Sequence, residues 1–494
     1  MSPDSAEPGR VPAVVVGAGP AGMAAAVALA ETGVPVTVLD TYTRPGGQYH
    51  RQRSVGPAAT SHGASTTTVV PPAASDPTVA SFTRHLDVGT IRLRAATTVW
   101  TAHPDAGGVA LHLSDARTDQ GPAATLHAEV VVLATGATDR VLPFPGWDLP
   151  GVFTAGGAQA LLKGQGVRVG ERAVVGGSGP FLLPVAAALA EAGTSVLAVA
   201  EAQSAGVIVR HAPRSPAHLD VLREGLGYAR DLARHRVPVR LATAVTAAHG
   251  VDRVEEVTLQ RLDADWRPVP GTEQRLAVDA ACVSFGFVPQ VGLAALLGCE
   301  LTADEVWGDA VVVVDEHQHT TVDGVFAAGE STGVGGAALS AEEGALAGLA
   351  AAHTLGAIEV DALRDRGAAH RRRRAQRRAF AAALGRMYRR GDGWVHWLQD
   401  DTTVCRCEEV DHAAVRHAVC ELGAVDRRSV KLTTRCGMGR CQGRMCGDAV
   451  ATLVAHHAGE PAEDLGALST PTVLAPVRLR ELAALAASGT DDEV

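Results

Sequence analysis

The chain has 494 residues, 46% of them hydrophobic and 20% charged, which suits two or three globular domains with sizeable cores. Its formal charge of -10 argues against nucleic acid as a partner. The start, Met1-Ser-Pro-Asp-Ser-Ala-Glu-Pro, has neither a basic region nor an apolar core and is not a secretory signal. The most apolar stretch, Phe181 to Ala200, is broken by Pro184 and Glu191 and reads as a buried helix and strand, so no integral membrane segment is expected. The expected location is the cytoplasm, where cysteines more often bind metal than form structural disulfides.

Residues 13–40 read AVVVGAGPAGMAAAVALAETGVPVTVLD. Ala13 to Val16 is a buried strand, Gly17-Ala-Gly19-Pro20-Ala21-Gly22 a tight turn, Ala24 to Thr32 a helix and Val36 to Leu39 the next strand. Asp40 follows Gly22 at the interval expected of a carboxylate that reaches ribose hydroxyls. Gly17 permits the turn, Gly19 lets a pyrophosphate approach, and Gly22 lets helix and strand pack. The pyrophosphate then meets the free N–H groups of the helix start. Residues 53 to 78 are rich in Ser, Thr, Ala, Pro and Gly and read as a surface loop.

Three later segments say which dinucleotide is bound. They are Arg44-Pro-Gly46-Gly47-Gln48, the run VVVLATGAT with Thr135 and Gly136, and TTVDGVFAAGESTGVGG with Gly329 and Glu330. Here the sequence resembles the two-dinucleotide-domain flavoproteins, the fold of glutathione reductase and thioredoxin reductase. The resemblance implies FAD, with Glu330 where an aspartate usually meets the ribityl chain and the helix start at 335–340 aimed at the flavin ring.

Residues 173 to 201 repeat the unit as AVVGGSGPFLLPVAAALAEAGTSVLAVAE. Gly177 and Gly179 match the first two glycines, Leu182 replaces the third, and Glu201 stands at the ribose position. Leucine there is expected to push the helix off the strand and loosen a pyrophosphate fit. NAD(P) and ATP both remain open for this second fold. No redox cysteine pair of the disulfide-reductase kind is present: residues 49 to 80 hold no cysteine, and Cys282 and Cys299 lie in apolar contexts that suit inert core thiols. His317 and His319 read as a surface turn, and no catalytic acid or base is assigned.

Ala338 to Leu355 has helical character. Beyond it, His370-Arg-Arg-Arg-Arg-Ala-Gln-Arg-Arg378 reads as a solvated helical linker, or else as a docking face for an acidic partner. Five of the eight cysteines then fall in two short runs, Cys405-Arg-Cys407 and Cys436-Gly-Met-Gly-Arg-Cys441-Gln-Gly-Arg-Met-Cys446. Two close pairs suit a [2Fe–2S] cluster, and four cysteines also suit zinc. The one-residue spacing of Cys405 and Cys407 is expected to put both sulfurs on one side of an extended loop, gripping one iron. Asp411 to Leu422 reads as a helix, Val430 to Thr433 as a short link, and Gln442 to Ala455 as a second helix.

This segment resembles the bacterioferritin-associated-ferredoxin type of [2Fe–2S] domain. With the flavoprotein half, it resembles over nearly the whole chain the cluster-bearing large subunits of three enzymes: the opine oxidase A subunit, the hydrogen cyanide synthase B subunit, and the proline or hydroxyproline dehydrogenase alpha subunit. The resemblance implies Cys405, Cys407, Cys441 and Cys446 as ligands, with Cys436 as an alternate. It also implies two partners, a glycine- or D-amino-acid-oxidase-like flavoprotein and a small ferredoxin-like protein. Contact with a membrane is implied only through that complex.

The expected fold is α/β: two nested Rossmann-like dinucleotide-binding domains plus a small C-terminal helical [2Fe–2S] domain. The FAD-binding domain takes 11–150 and 281–357 and the inserted nucleotide domain 151–280. A basic helical linker spans 358–400, the cluster domain 401–460 and a tail 461–494.

Overall fold

The computed structural model describes residues 10–51, 76–115, 124–212, 219–459 and 473–488. The β-branched run Val11–Val16 forms a strand that pairs in parallel with Val36–Asp40 on one side and Ala124–Leu133 on the other. Ile91–Ala95 and Val325–Ala327 extend this sheet at its two sides, also in parallel. Thr97–Asp105 and Gly108–Asp115 add an antiparallel meander to the first half of Ala124–Leu133. Helix Pro20–Ala30 packs along helix Ala337–Thr354 so closely that a Cβ at Gly344 would overlap the Ala21 carbonyl oxygen.

The second unit repeats this plan. Its parallel strands run in the order Val239–Arg240, Ser195–Glu201, Arg172–Gly177, Ala280–Ser284, Val152–Thr154, and a meander of Thr243–His249, Glu256–Arg261 and Gln274–Ala277 accompanies them. The chain returns to the first unit later than the expected residue 281. Ala280–Ser284 is fully buried between two strands of the second sheet, the place its unbroken apolar run requires. The crossing is made by a two-stranded hinge of Ala137–Asp139 and Phe287–Pro289.

Helix Val360–Met387 carries the arginine run as the expected basic helix, with Arg372 and Arg373 exposed, and other members of the run are bound within the chain. His370 and Arg373 pair with Glu342, and Arg374 and Arg378 pair with Glu343, which is 0% exposed. Both glutamates belong to helix Ala337–Thr354, so the run fastens one helix to another within the chain.

The cluster domain opens with strands Thr403–Cys405 and Val410–Asp411 and holds helices His412–Cys420, Arg427–Thr434 and Gly447–Ala458. The expected link at 430–433 is therefore helical; Asp426 and Ser429 start that helix with a reciprocal capping box. The helix expected from Gln442 begins only at Gly447, because Gln442 and Gly443 take positive φ and keep the chain in turns. Trp147 and the stacked pair Trp266 and Trp397 join this domain to the second unit in one continuous core.

Most of the expected 53–78 loop lies outside the described residues; its end, from Pro77, opens a helix capped by Asp76. Of the tail, helix Leu479–Ser488 is described, and the Leu474 N–H ahead of it donates to the Trp100 carbonyl at 2.8 Å. Among the described residues no helix is long and apolar enough to cross a membrane.

Candidate functional site

The first glycine turn is fixed by its neighbours. Asp40 accepts from the Ala18 N–H at 2.6 Å and the Tyr42 N–H at 2.7 Å. Burial raises its pKa against those bonds. A Cβ at Gly22 would overlap the Gly17 carbonyl oxygen, so this position requires glycine. The Gly46 N–H donates to the Ala18 carbonyl at 2.8 Å, which lays the 44–48 segment across the turn. Gln48 donates to the Tyr42 hydroxyl at 2.9 Å, and the Arg51 guanidinium stands 4.6 Å over the Tyr42 ring. Thr135 is spent on the hinge side, donating to the Gln290 carbonyl at 2.6 Å.

Helix Pro20–Ala30 starts at Gly19 and helix Ala337–Thr354 at Gly336, neither with a side-chain cap. Their first turns border a cavity of about 110 Å³ lined by Pro20, Met23, Tyr49, His50, Ala337 and Ala341. Uncapped helix starts facing a common space suit an anionic dinucleotide. The Glu330 carboxylate turns toward the second helix start, accepting from the Gly336 N–H at 2.7 Å and the Gly335 N–H at 3.4 Å. Its extra methylene, relative to aspartate, gives it that reach. Glu343, which the sequence reading missed, accepts from the Gly329 N–H and the Thr332 hydroxyl, both at 3.1 Å. Glu343 and Arg378 thereby pin the 329–333 turn beside the cradle. An acidic pair on one helix and an arginine run on the next was the available sequence signal.

In the second fold Glu201 plays the part of Asp40, accepting from the Gly179 N–H at 2.9 Å and the Gln203 N–H at 2.8 Å. Burial pushes its pKa up to about 7 despite those bonds. Leu182 is accommodated by delaying the helix. Phe181 still belongs to a turn, Leu182 N–H bonds back to the Gly179 carbonyl at 3.2 Å, and the helix runs Leu182–Glu191. Space is open where a Cβ at Gly179 would sit. Cys282 is fully buried, and burial pushes its thiol up to about 12, which makes it inert.

The five C-terminal cysteines converge, in a different grouping from the expected one. The Cys405, Cys436 and Cys446 sulfurs all lie within 4.8 Å of one another and are buried. Cys407 is exposed and hydrogen-bonds with Cys441. The strand ends at Cys405, and Cys407 lies in the turn that follows it. The Gly437 N–H points at the Cys405 sulfur at 3.5 Å. Bonds with Cys436 and Cys446 hold the Cys405 thiol far below its ordinary pKa, and Cys446 and Cys436 are pushed up in exchange. A donor set of sulfurs alone, split into two neighbouring groups, fits the two-iron, four-thiolate needs of a [2Fe–2S] cluster.

An ionic knot anchors this pocket to the nucleotide folds. Arg140, 3% exposed and next to the hinge, pairs with Asp309 of the first unit and with Asp448, at 2.6 Å, on the helix that follows Cys446. Arg390 completes the knot on Asp448. None of these four residues was singled out by the sequence reading.

A family model for pyridine nucleotide-disulphide oxidoreductases matches residues 11–361, and one for the BFD-like [2Fe-2S] binding domain matches 403–456. The chain belongs to the pyridine nucleotide-disulphide oxidoreductase family. It is an FAD- and [2Fe–2S]-containing flavin oxidoreductase. It is 32% identical over 483 residues to the A subunit of opine oxidase from Agrobacterium tumefaciens, covering 96% of this chain and 91% of that one. It is 32% identical over 448 residues to hydrogen cyanide synthase subunit HcnB of Pseudomonas aeruginosa, covering 88% and 90%. The fold matches L-proline dehydrogenase from P. horikoshii with a TM-score of 0.66 at 17% identity, over 95% of this chain and 78% of that one.

Two predictions concern the buried charges. Asp448→Ala leaves Arg140 short of an anion and should cost about 3 kcal/mol of unfolding free energy in urea titrations; a change under about 0.5 kcal/mol contradicts the knot. Glu201 ionises near 4.5 when unfolded but only near 7 when folded, so between these the folded chain holds an extra proton. Raising pH through that window should lower thermal stability, and Glu201→Gln should flatten that part of the profile.

Proposed function

We propose that the chain is the electron-transfer subunit of a multi-subunit, FAD-dependent amine or amino-acid dehydrogenase of the opine, proline, hydroxyproline or glycine type. The observation that carries this reading is the five-thiol pocket, tied by the Arg140 knot to the hinge between two nucleotide folds. The match over most of the chain to subunits of opine oxidase and hydrogen cyanide synthase supports it. In this reading a glycine- or D-amino-acid-oxidase-like flavoprotein partner oxidises the substrate, a small ferredoxin-like protein completes the complex, and electrons leave to an external acceptor.

Bound at these sites, FAD supplies two-electron acceptance and the cluster supplies one-electron carriage. The chain's own residues bind and orient. Gly17, Gly19, Pro20, Ala21, Gly22 and Asp40 hold the dinucleotide end of FAD. Gly47, Gln48, Thr135, Gly136, Gly329 and Glu330 border the rest of it. Cys405, Cys407, Cys441 and Cys446 hold the cluster, with Cys436 as the alternate.

The second reading is a self-sufficient NAD(P)H reductase, favoured by the buried Glu201 at the ribose position of a complete second fold. Gly177, Gly179 and Glu201 would then hold NAD(P)H; in the first reading they hold a non-reacting nucleotide such as ATP. Anaerobic mixing separates the two. The isolated holoprotein should keep its flavin absorbance with NADH and with amino acids alone, and lose it with an amino acid once the oxidase-like partner is added. Rapid bleaching by NADH alone contradicts the first reading and supports the second.

A further inference from the structure

A [2Fe–2S] cluster takes four thiolates, and the pocket offers five. Cys407 and Cys441 form one group, and Cys405, Cys436 and Cys446 the other, so the surplus thiol lies in the buried trio. Three sulfurs within 4.8 Å of one another compete for the two places on one iron.

Cys436 is built into that trio. It is 4% exposed and lies just past the C-terminus of helix Arg427–Thr434, whose last turn is closed by Arg435 at φ 68°. Its N–H donates to the Thr434 hydroxyl at 3.1 Å. The Arg435 guanidinium grips Glu408 at 2.9 Å, drawing the Cys436 loop over the turn that follows Cys405. The next N–H, that of Gly437, already points at the Cys405 sulfur.

Cys446 immediately precedes helix Gly447–Ala458, and Cys436 follows helix Arg427–Thr434, so the two sulfurs reach the same place from separate elements. We propose that Cys436 is a reserve ligand: the cluster rests on Cys405, Cys407, Cys441 and Cys446, and Cys436 takes over the iron when Cys446 is lost. In the exchange the iron–Cys446 bond would break and an iron–Cys436 bond would form, the Cys436 proton passing to the departing sulfur with no change of oxidation state. This rests on the cluster assignment above.

The test compares holoproteins of wild type, Cys436→Ala, Cys446→Ala and the double variant for iron, sulfide, FAD and the EPR signal of the reduced cluster. Alanine is used because serine can itself ligate iron. Cys436→Ala should keep about two iron and two sulfide per chain, in the [2Fe–2S] ratio, with the wild-type signal. Cys446→Ala should keep the same iron with a shifted signal, and the double variant should lose the cluster while retaining FAD. Loss of iron from Cys446→Ala with FAD retained, or from Cys436→Ala alone, overturns the proposal. If Cys446→Ala does not fold, the Cys436→Ala result still decides whether Cys436 is surplus at rest. A wild-type chain that contains FAD but no iron would instead overturn the cluster assignment.

Discussion

A buried arginine holds this molecule's parts in register. Arg140 stands beside the two-stranded hinge, with one anion from the first nucleotide unit and one from the cluster helix. An unpaired guanidinium at 3% exposure would cost several kcal/mol, so Asp309 and Asp448 are obligatory partners. With Arg390 the knot holds two cations and two anions and is neutral as a whole. Its consequence is geometric: Asp448 lies two residues beyond Cys446, so the iron-holding pocket is positioned by the same charge that packs the hinge.

A second ionic lock works in the first nucleotide unit, beside the Gly329–Thr332 turn. Glu343 is fully buried, and its carboxylate serves the Gly329–Thr332 turn on one side and Arg378 and Arg374 on the other. The arginine-rich helix therefore reaches from the Gly329–Thr332 turn to Met387, just before Arg389, whose carbonyl accepts from Gln203 beside Glu201. One helix braces both nucleotide folds, which makes its composition a structural requirement.

Local patterns carried most of the architecture. Both glycine turns, their acids and the flanking strands were legible because each depends on residues within about 30 positions of one another. The grouping of the cysteines was not legible. It depends on a turn after Cys405 and on positive φ at Gln442, neither of which spacing reveals. The late helix start at Leu182 shows the same limit: the missing glycine was visible, its remedy was not. The ion pairs of the arginine run were not legible because its partners, Glu342 and Glu343, sit on a different helix. The Arg140 knot was invisible for the same reason, since its four members are spread over 309 residues of sequence, from 140 to 448.

One chain thus keeps a flavin and a [2Fe–2S] cluster within a single fixed frame. Anaerobic titration of the purified holoprotein with dithionite tests this most directly. About three electron equivalents per chain are predicted, two for the flavin and one for the cluster. An endpoint at about two, with only flavin absorbance bleached, would contradict it.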